Sequence, residues 1–444
     1  MSAHPTTVSG VSPARRVAAA VLRRVEREGA YADRALAAEA TRAGLDPRER
    51  AFATQLAYGA VQRRRTLDHA IAACAGRPVE QLDPPVRDAL RLGVLQLLFL
   101  DGVAPHAAVD QSVELAKAAG GPGFKLVNAV LRRAGREGPR LLAALDDATP
   151  HGAAVLHSVP DWIAELWWDA LGAEQARALL AVVNEPAESV LRVNTLVAEA
   201  DDVRTELAAR GVEARPAPAA LDGVALPEGL VLDTPFDPST DRLWEAGALV
   251  AQSRAAMSAA RLLDPAPGAR VLDLCAAPGG KATHLAALAG PGGEVVAVER
   301  NPRRADALRR TVERLRADSI VRVETADAAE PRADGPFDAV LVDPPCSGLG
   351  TLQGRPDLRW RTRPEAIEQL AQLQLRILAA GAAALKPGGA LVYSTCTISP
   401  RENEQVLERF LAREPRFALE RRAQTLPDRA GTDGFFYARL RRIV

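Results

Sequence analysis

The chain of 444 residues has only four cysteines, and no two of them are spaced as metal ligands are. A structural zinc site uses pairs such as Cys-x-x-Cys, and small secreted domains are dense in cysteine. The four cysteines are far apart in the sequence, which argues against a structural zinc site and against a disulfide-rich secreted domain. They are Cys74, Cys275, Cys346 and Cys396. We therefore predict reduced thiols, a cytoplasmic location and no bound metal.

No hydrophobic run is long enough to cross a membrane. The strongest run, residues 92–100, is short and is interrupted by Gln96, whereas a membrane helix needs about 20 apolar residues. Residues 1–10 lack the basic stretch and the apolar core of a secretory signal. We expect neither a signal peptide nor a membrane partner.

The chain also has no net charge, because 56 basic side chains balance 56 acidic ones. Bulk charge therefore does not mark a nucleic-acid-binding protein. The distribution is uneven, since residues 1–150 carry 21 Lys or Arg against 16 Asp or Glu, a net charge of +5. A basic N-terminal part fits RNA docking, and it fits a solvated helical surface equally well.

The N-terminal part has helical periodicity throughout. Val17, Val21 and Val25 recur at helical spacing, and no alternating strand pattern intervenes before residue 145. We predict an all-α domain over residues 13–145, with helices that include 86–100, 107–119 and 124–134.

Residues 150–264 read as a small α+β segment. A tryptophan-rich helix follows Asp161, strands are predicted at 189–196 and 230–233, and a helix is predicted at 200–210. A cluster of tryptophans is more often core than a platform for stacked bases, and both readings remain open for Trp162, Trp167 and Trp168.

Strands and helices alternate from residue 265 to the C-terminus. Apolar strands in such alternation predict a parallel sheet covered on both faces. The predicted strands are 271–275, 294–299, 320–325, 339–343 and 390–396, and the helices between them are 282–289, 302–316 and 364–385. Ser399-Pro-Arg-Glu402 has the pattern of a capping box, so we predict that another helix begins directly after Cys396.

The turn after the first of these strands has the features of a nucleotide-type site. An aliphatic strand breaks at Cys275-Ala-Ala-Pro-Gly-Gly-Lys281 and a helix follows. Glycine lets the backbone approach a ligand closely, and a helix N-terminus offers free N–H groups. Neither the phosphate-loop pattern nor the dinucleotide pattern fits these residues, and a purely structural glycine turn is the alternative.

Three acidic residues are expected at the carboxyl ends of successive strands, where ligands bind to doubly wound sheets. Glu299 ends the second strand, Asp327 follows the third and Asp343 ends the fourth. Alone, each would more commonly be a solvated loop residue. Together, beside a glycine turn, they predict a site for a ribose and an adenine.

Three motifs carry a family resemblance: Cys275-Ala-Ala-Pro-Gly-Gly-Lys281, Asp343-Pro-Pro-Cys-Ser-Gly348 and Ser394-Thr-Cys-Thr397. Together they resemble the signature of the RNA cytosine-C5 methyltransferases, which use S-adenosylmethionine (SAM). The resemblance implies a seven-stranded sheet closed by a C-terminal hairpin and a SAM site. The implied cofactor-binding residues are Cys275, Ala276, Ala277, Pro278, Gly279, Gly280, Lys281, Glu299, Asp327 and Asp343.

The resemblance also implies the roles of two cysteines. Carbon 5 of cytosine is a poor nucleophile until a thiolate adds to carbon 6, so this chemistry needs a cysteine. Cys396 is implied to be the nucleophile and Cys346 to assist product release, whereas a lone cysteine is otherwise commonly a small core residue. Asp343 would hold the cytosine edge, and Lys281 is either electrostatic support or a solvated lysine.

The target base must be single-stranded or flipped out of a duplex, since a stacked base cannot present carbon 6 to a thiol. Arg355-Pro-Asp-Leu-Arg-Trp360 follows the Cys346 motif and matches a segment of the family. Its arginines are candidates for phosphate contacts, and Trp360 is a candidate for stacking or packing.

The N-terminal helices resemble the RNA-binding fold of the antitermination factor NusB, and the alternative is a generic helical bundle. Three stretches carry this resemblance: Leu97-Leu-Phe-Leu-Asp101, residues 108–117 and Val127-Asn-Ala-Val-Leu-Arg-Arg133. The implied order is a NusB-like all-α domain (13–145), an α+β linking subdomain (150–264) and a Rossmann-like class I methyltransferase domain (265–444). This order resembles the bacterial Sun (RsmB) family, whose substrate is small-subunit ribosomal RNA.

Two other functions remain open. A transfer RNA methyltransferase would carry the same catalytic motifs. A non-catalytic, antitermination-like RNA-binding protein would have a decayed methyltransferase domain, and the presence of Cys346, Cys396, Asp343 and the glycine turn argues against it. The expected partner is RNA in each case. A monomer is the expectation, although no sequence feature decides the oligomeric state.

Overall fold

The computed structural model describes residues 10–443, which fall into two compact units. The first runs to Glu185 and includes Leu352–Thr362, and the second comprises Pro186–Thr351 and the residues from Arg363 onward. The prediction that residues 1–10 carry no signal peptide concerns a segment of which the structure describes only Gly10. Within the described part, no helix is long and apolar enough to cross a membrane.

The described part of the first unit is helical, as predicted for the N-terminal domain. Its α-helices are α1 Pro13–Arg27, α2 Ala32–Ala43, α3 Pro47–Gln62, α4 Arg64–Ala75, α5 Pro84–Leu98, α6 Pro105–Ala118, α7 Phe124–Ala143, α8 Pro150–Leu156, α9 Asp161–Leu171 and α10 Ala173–Val182, with α16 Leu358–Arg361 from the later segment.

Local sequence explains several of these helix starts. Proline occupies the first turn of α1 and α3, where its missing N–H costs nothing. Asp46 accepts a hydrogen bond from the backbone N–H of Glu49 and so caps α3. The apolar faces of these helices meet in one core that includes Leu56, Ile71 and Leu90, which supplies most of the driving force for folding.

The tryptophan-rich helix α9 belongs to this first unit. Trp167 is only 1% exposed, so it is a core residue. Core packing is therefore the correct alternative for Trp167, because a base cannot stack on a ring that solvent does not reach.

The second unit begins with a small antiparallel sheet of four strands in the order β2-β3-β1-β4. The elements of this α+β part are β1 Val190–Val193, α11 Ala200–Ala208, β2 Ala214–Pro216, β3 Gly229–Leu232, α12 Arg242–Glu245 and β4 Leu249–Ala251. Leu191, Leu230 and Leu249 are buried in its own apolar core.

A seven-stranded sheet forms the rest of the second unit, in the order β10-β11-β9-β8-β5-β6-β7. Its elements are α13 Arg254–Leu263, β5 Arg270–Leu274, α14 Gly280–Ala289, β6 Glu294–Val298, α15 Pro302–Arg314, β7 Val321–Glu324, β8 Phe337–Val342, α17 Pro364–Ala384, β9 Leu385–Thr395, α18 Glu404–Arg413, β10 Phe417–Gln424, α19 Pro427–Ala430 and β11 Phe436–Arg442.

The strand directions confirm the predicted fold class. Strands β5 to β9 pair in parallel, and the C-terminal hairpin of β10 and β11 adds antiparallel to β9. Alternate residues face two separate cores: Val271 lies in one, and Leu272 in the other. The strand order reverses between β5 and β8, which makes this the crevice where doubly wound sheets bind ligands.

The predicted helix start after Cys396 is wrong. Residues 400–403 form a turn, and α18 begins at Glu404, eight residues beyond the cysteine. The side chain of Glu402 accepts hydrogen bonds from the backbone N–H and hydroxyl of Ser347, which replaces the local capping box with a long-range contact. The helix dipole therefore does not act on Cys396 at close range.

Candidate active site

The glycine turn connects β5 to α14 at the reversal point of the sheet. Cys275 has a positive φ of 68°, which is a strained conformation for a residue with a side chain. Gly279 has φ of 112°, and a Cβ placed there would lie 2.8 Å from Cδ1 of Leu308. Only glycine fits this position without a shift, because the turn packs directly against Leu308 and Thr311 of α15.

Two arginines fix the turn from either side. The Nη2 of Arg304 donates to the carbonyl oxygen of Ala277 at 2.8 Å. Arg192 lies fully buried on β1 and donates to Oγ1 of Thr283, on the first turns of α14, at 3.0 Å, and to Oε1 of Gln252 at 2.8 Å. Burial lowers the pKa of Arg192 to about 10. Sequence reasoning identified the strand but missed this arginine, whose partners lie about 60 and 90 residues away.

The predicted acidic residues lie at the carboxyl ends of neighbouring strands. Glu299 follows β6, is 5% exposed, and accepts a hydrogen bond of 2.8 Å from the backbone N–H of Asn301. Asp327 follows β7, is partly exposed, and accepts one of 3.0 Å from the backbone N–H of Ala329. Both carboxylates keep acceptor capacity beyond these bonds.

Asp343 and Lys281 form an ion pair beside the turn. The Nζ of Lys281 donates to Oδ2 of Asp343 at 2.8 Å, and Oγ of Ser394 donates to Oδ1 at 3.0 Å. Burial acts to lower the pKa of Lys281, but the charge and hydrogen bond of Asp343 outweigh it and raise that pKa above its usual value. Lys281 is thus a charged group of the site, and the solvated-lysine alternative is wrong.

Asp273 is a site residue that sequence reasoning missed. It lies inside β5, is 1% exposed, and neither carboxylate oxygen has a hydrogen-bond partner among the described residues. Burial, together with the negative charge of Asp343, raises the pKa of Asp273 well above its usual value. The available signal was an aspartate within the aliphatic run Val271–Leu274.

These residues fit SAM. A buried carboxylate without a donor suits an ammonium or hydroxyl group of a ligand, because an unmet buried acceptor is costly. The glycine turn follows β5 and Glu299 follows β6, and these strands are parallel neighbours, so both lie at the same end of the sheet. Glu299 and Asp327 suit ribose and adenine donors respectively.

The two motif cysteines are brought together, although 50 residues separate them in sequence. Their Sγ atoms lie 3.3 Å apart, which is too long for a disulfide bond of about 2.05 Å. The hydrogen bond to Cys396 and burial raise the pKa of Cys346 well above its usual value. Loss of the proton from Cys346 is therefore disfavoured beside Cys396.

Backbone contacts hold the two cysteine loops together. The N–H of Gly350 donates to the carbonyl oxygen of Cys396 at 3.0 Å, and the N–H of Gly434 donates to the carbonyl oxygen of Gly350 at 2.8 Å. A Cβ on Gly350 would lie 1.8 Å from the carbonyl oxygen of Gly434, so no side chain fits there.

The expectation that both arginines of Arg355–Trp360 contact phosphate is wrong for Arg359. Arg359 is fully buried in the first unit, and burial lowers its pKa to about 9. Its guanidinium donates five hydrogen bonds, to the carbonyl oxygens of Gln62, Ser158, Val183 and Leu352 and to Oδ1 of Asn184. No donor remains accessible for RNA.

Trp360 packs, which was one of its two predicted roles. Its Nε1 donates to the carbonyl oxygen of Val61 at 2.8 Å, and the guanidinium of Arg64 lies 5.1 Å from its ring centroid. Arg355 is exposed, so it is the arginine of this segment that can reach solvent phosphates.

Known families match three consecutive parts of the chain. Residues 12–136 match the NusB family. Residues 159–237 match the ferredoxin-like domain of RsmF/B-like methyltransferases. Residues 260–441 match the family described as 16S rRNA methyltransferase RsmB/F.

Relatives match over almost the whole length. Ribosomal RNA small subunit methyltransferase B of Thermus thermophilus is 40% identical over 97% of this chain and 98% of its own. The probable enzyme of the same name from Synechocystis is 38% identical over 97% of this chain and 99% of its own. The crystal structure of PH0851 superposes with a TM-score of 0.80 at 28% identity, covering 97% of this chain and 99% of that one.

The doubly wound sheet, its glycine turn and these matches define a SAM-dependent RNA methyltransferase. The similarity over full length places it further: the chain belongs to the ribosomal RNA small subunit methyltransferase B (Sun) family. The resemblance to the Sun (RsmB) family is thereby confirmed, as is the NusB-like fold of the N-terminal helices.

Proposed function

We propose that this protein methylates carbon 5 of a cytosine in small-subunit ribosomal RNA through a covalent cysteine–cytosine intermediate. The observation that carries the proposal is the contact between Cys346 and Cys396, whose sulfurs lie 3.3 Å apart. Methylation of an exocyclic amine or of a ribose hydroxyl requires no cysteine, whereas methylation at carbon 5 requires a thiolate at carbon 6.

Cys396 is proposed as the nucleophile. Its sulfur adds to carbon 6 of cytosine, which converts the ring into an enamine with nucleophilic carbon 5. Asp343 follows β8, the strand next to β5, and its carboxylate accepts hydrogen bonds from Lys281 and Ser394. That carboxylate is proposed to hold the cytosine edge and to support the charge that develops as sulfur adds.

Cys346 is proposed to act in release. After the carbon-5 proton is lost, the carbon–sulfur bond breaks and its electron pair returns to the sulfur of Cys396. Cys346 contacts that sulfur and its own pKa is raised, so its S–H group is proposed to stabilise the departing thiolate. In this proposal Cys396 supplies the sulfur that attacks cytosine, and Cys346 supplies the group that helps this sulfur to leave.

SAM, when bound, supplies the electrophilic methyl group. The residues proposed to hold it are Asp273, Glu299 and Asp327, with the glycine turn from Cys275 to Lys281. Glu299 would accept hydrogen bonds from ribose hydroxyls, and Asp327 from the adenine amine. Asp273, unrecognised in the sequence, would accept from a donor deeper in the crevice.

The helical first unit is proposed to dock the RNA. Its longest helix, α7, exposes Arg132, Arg133, Arg136 and Arg140, and Glu137 forms an ion pair with Arg133. Such a surface binds phosphates without reading sequence.

Mapping of 5-methylcytosine tests the substrate. Ribosomal and transfer RNA from cells with and without the protein are compared position by position. We expect one or a few cytosines of the small-subunit RNA to lose the mark. Loss confined to transfer RNA would replace the ribosomal substrate with the transfer RNA alternative, and no loss in either would remove the proposed reaction.

A further inference from the structure

A buried glutamate holds the residue that follows Cys346. Glu402 is 0% exposed and lies in the turn between β9 and α18. Its Oε1 accepts from the backbone N–H of Ser347 at 2.8 Å and from Nε2 of Gln374 at 3.1 Å. Its Oε2 accepts from the Oγ of Ser347 at 2.5 Å. One carboxylate therefore fixes both the backbone and the side chain next to this cysteine.

The neighbouring asparagine holds both residues that flank Cys396. Asn403 is 1% exposed. Its Nδ2 donates to the carbonyl oxygen of Thr397 at 3.0 Å, and its Oδ1 accepts from Oγ1 of Thr395 at 2.5 Å. The backbone on either side of the nucleophile is thus tied to a single side chain.

The two contacts are joined into one frame. The hydroxyls of Ser347 and Thr397 lie 2.6 Å apart, so the residues that follow the two cysteines touch. The Oη of Tyr393 donates to the carbonyl oxygen of Glu402 at 2.6 Å, which anchors the turn to β9. We call Glu402 and Asn403 together the brace.

The electrostatic cost of burying Glu402 indicates that the brace does more than fill space in the core. Burial of the Glu402 carboxyl raises its pKa, which records an electrostatic cost. Apolar residues of similar volume commonly replace such groups with no loss of stability when packing alone is at stake. No helix begins at the capping-box sequence, and the carboxylate of Glu402 holds Ser347 of a distant loop.

We propose that the brace residues are positioning residues with divided roles: Glu402 sets the place of Cys346 for release, and Asn403 sets the place of Cys396 for attack. This inference rests on the proposed function, because it assigns each half of the brace to one step of the covalent reaction.

The test uses the full chain, SAM and substrate RNA, and follows the denaturant-resistant protein–RNA adduct in time. Glu402→Ala should let the adduct form at the normal rate but persist, and turnover should fall by about tenfold or more, since a displacement of about 1 Å can cost a hundredfold. Asn403→Ala should slow adduct formation by a similar factor.

A Cys346→Ala background separates positioning from general damage. With Cys346 absent, adding Glu402→Ala should not prolong the adduct further, because the group that Glu402 positions is already gone. Adding Asn403→Ala should still slow adduct formation. A purely structural role would make both changes slow the reaction alike, and that result overturns the divided roles.

Matched variants guard the interpretation. Glu402→Gln keeps an acceptor for the Ser347 N–H and should release the adduct at close to the wild-type rate. This variant replaces Glu402→Ala in the test if the alanine variant fails to fold. Glu408→Ala, on the exposed face of α18, should leave both rates unchanged. If Cys346→Ala accumulates adduct but neither brace variant changes a rate, the brace inference alone fails. If Cys346→Ala accumulates none, the proposed function fails and the inference with it.

Discussion

The sulfur of Cys346 lies 3.3 Å from the sulfur of Cys396. Two adjacent thiolates would repel each other, so ionisation of one sulfur disfavours ionisation of the other. The hydrogen bond to Cys396 and burial raise the pKa of Cys346 well above its usual value. The contact therefore couples the ionisation of the two thiols, and the roles proposed for them differ.

The SAM site gives a binding prediction. Glu299→Ala should weaken SAM binding about ten- to a hundredfold, because a charged acceptor of this kind contributes about 1.5 to 3 kcal/mol. Calorimetric titration measures it, with circular dichroism to check the fold. Glu313→Ala, an exposed acid on α15, is the control and should bind normally. Equal affinities of wild type and Glu299→Ala would remove Glu299 from the site.

Asp273 gives a pH prediction. Its folded-state pKa is raised by burial and by Asp343, whereas the unfolded value is about 3.9. As pH rises above about 4, the unfolded chain loses this proton while the folded protein keeps it, so wild-type stability falls until the folded pKa is passed. The Asp273→Asn variant has no titrating carboxyl at this position, so its stability does not fall in this way as pH rises.

The quantity to measure is the difference in the free energy of unfolding between wild type and Asp273→Asn, without SAM, from pH 4.5 to 7. It should grow in favour of the asparagine variant by about 1.4 kcal/mol per pH unit within the window between the two pKa values. A difference that stays constant over this range contradicts the assignment of Asp273 as a buried, protonated acid.

Arg359 gives a stability prediction for the first unit. Arg359→Ala should lower its free energy of unfolding by roughly 3 kcal/mol or more, since each buried acceptor left without a donor costs about 1 to 3 kcal/mol. Urea unfolding followed by tryptophan fluorescence reports on it, because Trp167 and Trp360 lie in this unit. Arg355→Ala, at an exposed position of the same segment, should change little. Comparable losses in both variants would contradict the structural role.

The α7 surface gives a salt-dependence prediction. Replacing Arg132 and Arg136 by glutamine should weaken RNA binding and reduce the slope of log affinity against log salt by about 1.5, since each phosphate contact contributes about 0.7 to 0.9. Arg42→Gln is the control, because Arg42 is already paired with Glu39 at 2.9 Å. An unchanged slope in the double variant would place the RNA surface elsewhere.

Local patterns predicted the fold and much of the site. Strand ends and glycine turns are determined by short stretches of sequence. The sequence alone therefore predicted Glu299, Asp327, Asp343 and the turn at Gly279 as candidate site residues. The order of parallel strands then brings these stretches to one edge of the sheet.

Residues defined by distant contacts could not be predicted. No local motif predicts the contacts of Arg192, Arg359 and Asn403, because their partners become neighbours only in the folded chain. Glu402 had a local motif, the capping box, that favoured the wrong answer. Its tertiary contact with Ser347 prevailed over the helix cap, as tertiary context overrides local preference elsewhere.

The most direct test of the central claim compares Cys396→Ala and Cys346→Ala in one experiment. Each variant is incubated with SAM and substrate RNA and run on a denaturing gel, with Cys74→Ala, in the core of the first unit, as the control. Cys396→Ala should form no adduct and show no turnover, because no sulfur is left to attack carbon 6. Cys346→Ala should accumulate a denaturant-resistant protein–RNA complex, because attack proceeds and release does not. Accumulation in Cys396→Ala alone would reverse the two roles, and normal turnover in both variants would contradict the cytosine-C5 mechanism itself.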